Sequence, residues 1–232
     1  MTPLLILIMR VEPTVAVGSD LVYAAITKVF GAFQHHKNGN VDTHLAWRIS
    51  VGSVPGALLG AYTMSRMSRH NLTQTNSFVK HLLGIMLLFV AAAILMRGLP
   101  AIKEFGKKLR LGPDAKRGRW GALFGVFLGY LVGLTSVGSG TLFGVLLIVV
   151  FGLTPKNMVG TDVFHAAVLS SAAAVGHIYS GNVDWKMVGS ILIGSIPGIL
   201  ISSRLAGKMP DHLIRPILAT VLLFSGYFML IK

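Results

Sequence analysis

The chain has 232 residues, of which 53% are hydrophobic and only 12% are charged, whereas a soluble domain carries about 25% charged residues. This composition indicates a membrane protein, and the absence of cysteine excludes a disulfide framework and a thiolate metal site. The net charge of +13 comes from basic residues at the ends of apolar segments, which is typical of cytoplasmic loops and does not favour nucleic acid as a partner.

The first ten residues, MTPLLILIMR, lack the basic start and the cleavage site of a signal peptide. Their apolar run is too short to cross a bilayer, which requires roughly 20 mostly apolar residues. Longer apolar segments lie at about 15–36, 43–64, 77–97, 120–152, 157–179, 185–203 and 212–231. They predict an all-α, polytopic integral membrane protein.

The segment 120–152 has an unusual length and an unusual interruption. As a single helix its 33 residues would extend about 50 Å, whereas the hydrocarbon core is about 30 Å thick. The stretch GLTSVGSGT (133–141) interrupts it with glycines and hydroxyl side chains. We therefore expect a helix broken near its middle or a re-entrant pair.

A basic segment precedes this broken helix. Residues 97–119 contain two acidic residues, Glu104 and Asp114, against eight lysines and arginines. This excess predicts a cytoplasmic loop at 98–119 under the positive-inside rule. The loop would separate a first domain, 1–97, from a second, 120–232.

The same four letters, GNVD, occur at 39–42 and at 181–184. At this offset of 142 residues, 16 of the 43 positions from 18 to 60 are identical in the second part of the chain. The pattern predicts two homologous halves, as in many secondary transporters. Three crossings per half would make the halves inverted, and four would make them parallel.

The same offset places Met1 on Phe143, so the first half has no counterpart of about 120–142. Its N-terminal half-helix is therefore missing from this sequence. Either translation starts upstream of Met1, which is the favoured expectation, or the first repeat is degenerate.

The glycine-rich break is the first candidate binding site. Backbone N–H groups at the start of a half-helix suit an anion, and the clustered hydroxyls add donors. The alternative is a tight helix crossing of small residues. The candidate residues are Ser136, Gly138, Ser139, Gly140 and Thr141.

The second candidate is the repeated motif Gly18-Ser19-Asp20 and Gly160-Thr161-Asp162. We expect each motif to begin an apolar helix, with Ser19 and Thr161 as N-caps. Ionisable residues within membrane segments are rare and often functional, so Asp20 and Asp162 are candidates for proton coupling. The alternative is a simple interfacial cap.

Other candidates are isolated basic residues. Lys28, near the middle of its segment, should face a carboxylate, a cavity or an anion. His165 is a third candidate for proton coupling, because histidine titrates near neutral pH. His35 and His177 precede GNVD and are expected at the interface, while a purely structural role is the commoner one for such histidines.

The repeated motif GSVPG (52–56) and GSIPG (194–198) predicts hinges or packing notches. Catalytic motifs such as GxSxG, HExxH and the Walker motif are absent from the sequence. We therefore expect no enzyme activity, no cofactor and no metal. A non-transporting scaffold or assembly subunit, and less favourably a membrane-embedded enzyme or cofactor carrier, stay as alternatives.

The second half contains, in order, GLTSVGSGTL, VGTDVFHA, GHIYSGNVDW and GSILIGSIPG. This series resembles the TauE/SafE family of sulfite and organosulfonate exporters. The departures are Ser139, which stands at a position where the family has glycine, and Thr43, which replaces the tryptophan seen at Trp185.

The resemblance implies transport of small sulfur-containing anions such as sulfite, thiosulfate or sulfonates across a bacterial inner membrane, with export as the expected direction. Coupling to the proton gradient is left open. A homo-oligomer is left open. The anion would lie near the midplane, where donors around Gly138–Thr141, Gly160–Thr161 and Gly18–Ser19 converge with Lys28.

Overall fold

The computed structural model describes residues 1–96, 114–138, 140–153, 155–206 and 211–231. Within these ranges all regular structure is helical. The helices are α1 (Thr2–Leu7), α2 (Pro13–Lys37), α3 (Thr43–His70), α4 (Leu72–Met96), α5 (Asp114–Thr135), α6 (Thr141–Val149), α7 (Pro155–Tyr179), α8 (Trp185–Ala206) and α9 (Asp211–Ile231). The predicted all-α fold is confirmed.

Most of the predicted segments match single helices to within a few residues. Helix α5 begins at Asp114, six residues earlier than predicted, so the last part of the expected basic loop is helical. The rest of that loop, 97–113, lies outside the described residues. Among the described helices, Pro13–Lys37, Leu72–Met96 and Asn157–Tyr179 are long and apolar enough to cross a membrane by length and composition.

The predicted break in 120–152 is present at 136–140, between α5 and α6. Ser136 has φ of 59° and Gly138 has φ of 100°, both in the left-handed region that interrupts a helix. Helix α6 returns toward the start of α5, because Phe151 lies beside Gly121. The two helices therefore form a re-entrant pair.

Helices α3 and α5 pack in parallel along rows of glycine. A Cβ atom on Gly52, Gly56 or Gly60 would overlap the backbone of α5, at Ala122, Val126 and Tyr130 respectively. The glycines of α5 at 125, 129 and 133 meet the backbone of α3 in the same way. This is small-residue packing, in which two membrane helices approach at backbone distance. The predicted packing notch is confirmed for GSVPG.

Helices α2 and α7 pack antiparallel, as do α4 and α9. Gly18, near the start of α2, lies against His177 and Asn182, while Gly160, near the start of α7, lies against Asn40. Gly84 of α4 meets Gly226 of α9. In each pair the two helices are separated by 142 residues in the sequence, and antiparallel packing of such helices is what inverted halves would produce. The duplication itself stays a prediction.

Candidate functional site

Each GNVD segment ends one helix and begins the next. Gly39 and Gly181 have φ of 66° and 73°, the conformation that glycine supplies just after a helix. The Asp42 side chain accepts a hydrogen bond from the Leu45 N–H, and Asp184 accepts one from the Met187 N–H, both at 3.0 Å. The aspartates are therefore the N-caps of α3 and α8.

The two GNVD segments bind to the two Gly-Ser/Thr-Asp motifs in a crossed arrangement. The backbone N–H of Asp184 donates to Ser19 Oγ, and that of Asp42 donates to Thr161 Oγ1, both at 2.9 Å. Ser19 and Thr161 are fully buried. Each hydroxyl thus binds a loop from the other part of the chain.

The prediction that Ser19 and Thr161 are N-caps is wrong. Helix α2 begins at Pro13, with Glu12 as its N-cap, and α7 begins at Pro155. Both hydroxyls lie one to two turns inside their helices. A proline at the first position suits a helix start, because its missing N–H is not needed there.

Asp20 is enclosed by donors from α1 and from the break. Its Oδ2 accepts hydrogen bonds from the Thr2 N–H at 3.1 Å, the Thr2 hydroxyl at 2.5 Å and the Ser136 hydroxyl at 3.0 Å. The α-amino group of Met1 lies 3.5 Å away. With three donors and 7% exposure, Asp20 is a well-satisfied buried carboxylate.

Asp162 has different neighbours although it occupies the equivalent position. It is also 7% exposed, but it lies at the start of α6, where a Cβ on Gly140 would be 3.7 Å from its Oδ2. The Lys28 ammonium interacts electrostatically with both Asp162 and Asp20. A carboxylate at a helix N-terminus is favoured by the helix dipole.

His165 is buried beside this cluster. Its Nε2 lies 2.7 Å from the Ser53 hydroxyl of α3, and its ring packs against that of Phe143 of α6, with the ring centroids 4.3 Å apart and the planes tilted by 52°. His165 thus connects α3, α6 and α7, one turn after Asp162.

His177 is fully buried, so the prediction that it lies at the interface is wrong. Its Nε2 is 2.8 Å from the Gly133 carbonyl, which can only accept, so Nε2 carries the proton. The break leaves the last carbonyls of α5 without helical partners, and His177 satisfies one of them. His35, its equivalent, is half-buried.

The structure brings together some of the predicted site residues. Ser136 contacts Asp20, Gly140 lies beside Asp162, and Lys28 acts on both carboxylates. Gly18 and Gly160 instead lie against the two GNVD segments. Ser139 and the side chain of Thr141 lie outside the described residues.

Two partners were missed by the sequence interpretation. Thr2 precedes the short apolar run at the start of the chain, and no local signal marks it as a donor to Asp20. Ser53 belongs to the repeated GSVPG, for which the sequence predicts a hinge or a packing notch and no hydrogen bond to a histidine. No group of three metal-ligating side chains is found in the described ranges.

A cavity of about 460 Å³ opens between α2 and α7. Its lining is largely apolar and includes Phe33 and Phe164, with His36 and Ser171 as its polar members. None of the predicted site residues lines it. The polar cluster around Lys28 is therefore the better candidate site for an anion.

Comparison with known families agrees with these features. The model of the sulfite exporter TauE/SafE family matches residues 1–229. The chain belongs to the TauE/SafE family. It is 36% identical over 187 residues to the probable membrane transporter protein YjnA of Bacillus subtilis, an alignment that covers 81% of this chain and 73% of YjnA.

Two further relatives from Bacillus subtilis carry the same kind of name. The probable membrane transporter protein YunE is 26% identical over 75% of this chain and 65% of its own length. The probable membrane transporter protein YdhB is 24% identical over 80% and 71%. No solved structure matches significantly. This TauE/SafE protein is a multi-pass membrane transporter.

Proposed function

We propose that this chain is a secondary transporter that exports small sulfur oxyanions such as sulfite, thiosulfate or sulfonates across a bacterial inner membrane. The observation that carries the proposal is the buried cluster at the helix break. There, Asp162 lies at the N-terminus of α6, and the Lys28 ammonium acts on it. A helix N-terminus and a lysine together make a site suited to an oxyanion.

Asp162 occupies the place that such an anion would take. An oxyanion that reached the start of α6 would compete with the Asp162 carboxylate for Lys28 and for the helix N-terminus. Two negative groups cannot share that place without strong repulsion. Anion binding therefore requires that Asp162 take up a proton.

The charge count gives the sign of the coupling. Two cations, Lys28 and the α-amino group of Met1, balance the carboxylates of Asp20 and Asp162, so one proton on Asp162 leaves one positive charge for the anion. The proton and the anion therefore bind together. A dianion with one proton still carries a negative charge, and an inside-negative membrane potential favours its exit by about 2.3 kcal/mol per 100 mV.

The remaining candidate residues take different roles in this proposal. Ser136, Gly138 and Gly140 line the break beside the anion, and Ser139 and Thr141, whose side chains lie outside the described residues, are proposed as further donors. Gly18, Ser19, Gly160 and Thr161 hold the two inverted halves together, because their hydroxyls and glycine faces bind the GNVD segments. His165, one turn after Asp162 on α7, is held by Ser53 of α3 and Phe143 of α6 and is a further candidate for proton coupling.

The test is sulfite flux in proteoliposomes, measured with and without an imposed pH gradient. Thiosulfate, sulfate and a sulfonate serve as competitors. We expect saturable flux that accelerates when the side holding sulfite is acidified. Absence of flux from correctly inserted protein, at any gradient, would refute the sulfur-anion proposal.

Lys28 is tested in the same vesicles against a matched surface lysine. Lys28→Ala should reduce sulfite flux at least tenfold, because the site loses its positive charge, a change worth more than about 1.4 kcal/mol. Lys186, which is exposed on α8, provides the control Lys186→Ala, for which flux should be unchanged. Equal flux in both variants would remove Lys28 from the site.

A further inference from the structure

The two crossed contacts between the GNVD segments and the helices α2 and α7 are alike in construction. The Ser19 latch consists of Gly18 and Ser19 with Asn182 and Asp184. The Thr161 latch consists of Gly160 and Thr161 with Asn40 and Asp42. In each, one backbone N–H donates to the hydroxyl at 2.9 Å.

Each latch also contains one contact at backbone distance. A Cβ atom on Gly18 would overlap the carbonyl oxygen of Asn182, and a Cβ atom on Gly160 would overlap that of Asn40. No residue larger than glycine fits at either position while its latch is closed. Both latches are closed in this structure.

The latches lie at opposite ends of the α2–α7 pair, because the two helices run antiparallel. Asp20 follows the Ser19 latch by one residue, and Asp162 follows the Thr161 latch by one residue. Both carboxylates are 7% exposed. The break joins the two places, with Ser136 bound to Asp20 and Gly140 beside Asp162.

Each latch is small compared with the helix packing around it. It holds a loop to a helix by one hydrogen bond and one glycine contact, whereas α3 and α5 interlock along several turns. A rocking motion of one half against the other would separate the loop at one end and press it closer at the other. The carboxylate behind the open latch would then meet water from one side only.

We propose that these latches are the two gates of the transporter and that each transport cycle opens the Ser19 latch and the Thr161 latch in alternation. This rests on the proposed transport function, and it assigns to Ser19 and Thr161 a positioning role that controls access to Asp20 and Asp162.

The chain contains no cysteine, so single reporters can be introduced without background. Val183 and Val41 are half-buried residues of the two GNVD segments, and Val183→Cys and Val41→Cys report on the Ser19 latch and the Thr161 latch. Labelling with a membrane-impermeant maleimide is measured on the full chain in oriented vesicles, from each side in turn.

Gly18→Ala should hold the Ser19 latch open, since its Cβ would overlap the Asn182 carbonyl. We expect labelling of Val183→Cys to rise at least tenfold while that of Val41→Cys stays equal or falls. Gly160→Ala should produce the reverse. Gly189→Ala is the matched control, because no described atom lies within 4 Å of a Cβ there, and neither reporter should change.

A second pair of variants provides the same test if alanine at Gly18 or Gly160 prevents folding. Ser19→Ala and Thr161→Val remove one hydrogen bond each without adding an overlap. Each should raise labelling of its own reporter about fivefold, the equilibrium shift expected from one lost hydrogen bond. Equal labelling of both reporters, or no change in either, would overturn the proposal.

Sulfite flux of the cysteine-free chain in the same vesicles separates this proposal from the proposed function. Reciprocal labelling without sulfite flux supports the gates and rejects the sulfur-anion assignment. Sulfite flux with labelling that is not reciprocal supports that assignment and rejects the gates.

Discussion

Gly52 and Gly194 occupy equivalent positions in the two G-S-x-P-G motifs, yet only Gly52 is covered by another helix. A Cβ on Gly52 would overlap the backbone of α5, whereas no described atom lies within 4 Å of a Cβ on Gly194. The same local sequence therefore packs against a second helix at Gly52 but, among the described residues, not at Gly194.

The same comparison applies to the two buried aspartates. Asp20 has three hydrogen-bond donors from α1 and the break, while Asp162 lies at the N-terminus of α6. Lys28 acts on both carboxylates. Satisfied hydrogen bonds stabilise a fold, whereas a carboxylate that shares its cation with a substrate can exchange a proton during transport. We therefore interpret Asp20 as structural and Asp162 as functional.

The largest expected effect concerns the two glycines. Gly52→Ala should lower the free energy of unfolding by about 3 kcal/mol, because neither backbone can move away without separating α3 from α5. Gly194→Ala should change it by less than about 0.5 kcal/mol. Thermal unfolding of both variants in one detergent measures the difference, and equal destabilisation would show that Gly194 is covered as well.

The second largest difference is expected between Asp20 and Asp162. Asp20→Asn should lower the free energy of unfolding by about 2 kcal/mol, since hydrogen bonds to a charged carboxylate are lost. Asp162→Asn should leave stability closer to that of the parent chain and make sulfite flux independent of pH, because the proton site is gone. A pH-independent flux in Asp20→Asn but not in Asp162→Asn would reverse the two assignments.

A smaller difference in stability is expected between variants of His177 and His35, the two histidines that precede the GNVD segments. His177→Leu leaves the buried Gly133 carbonyl without its donor, which should cost about 1.5 kcal/mol in unfolding free energy. His177→Gln should recover part of this loss, because its amide nitrogen can donate. His35→Leu serves as the comparison and should cost less than about 0.5 kcal/mol. If His177→Gln is as unstable as His177→Leu, the packing of the ring and not the hydrogen bond stabilises His177.

The two N-cap aspartates, Asp42 and Asp184, should contribute equally to stability. Asp42→Ala and Asp184→Ala each remove one N-cap of the same geometry, so each should lower the free energy of unfolding by about 1 kcal/mol. Denaturation of the two variants under identical conditions tests this equality. A difference above about 1 kcal/mol would mean that the two loops are not equivalent after all.

The sequence by itself determined the helices and the place of the break. Apolar length, the prolines at 13 and 155, the glycines after α2 and α7 and the aspartate caps act through neighbours within a few residues. Short-range signals of this kind can be identified directly in the amino-acid sequence. The glycines and hydroxyls of 133–141 likewise predicted an interruption in a segment too long for one span.

Only the tertiary structure decided how these elements face each other. The Ser19 hydroxyl meets a backbone group 165 residues away, so its role as a latch, rather than an N-cap, cannot be deduced locally. The burial of His177, the antiparallel orientation of α2 and α7 and the unequal surroundings of Asp20 and Asp162 depend equally on distant partners. Two identical short motifs hold the same local information, and the chain distinguishes them only through the helices that pack beside each one.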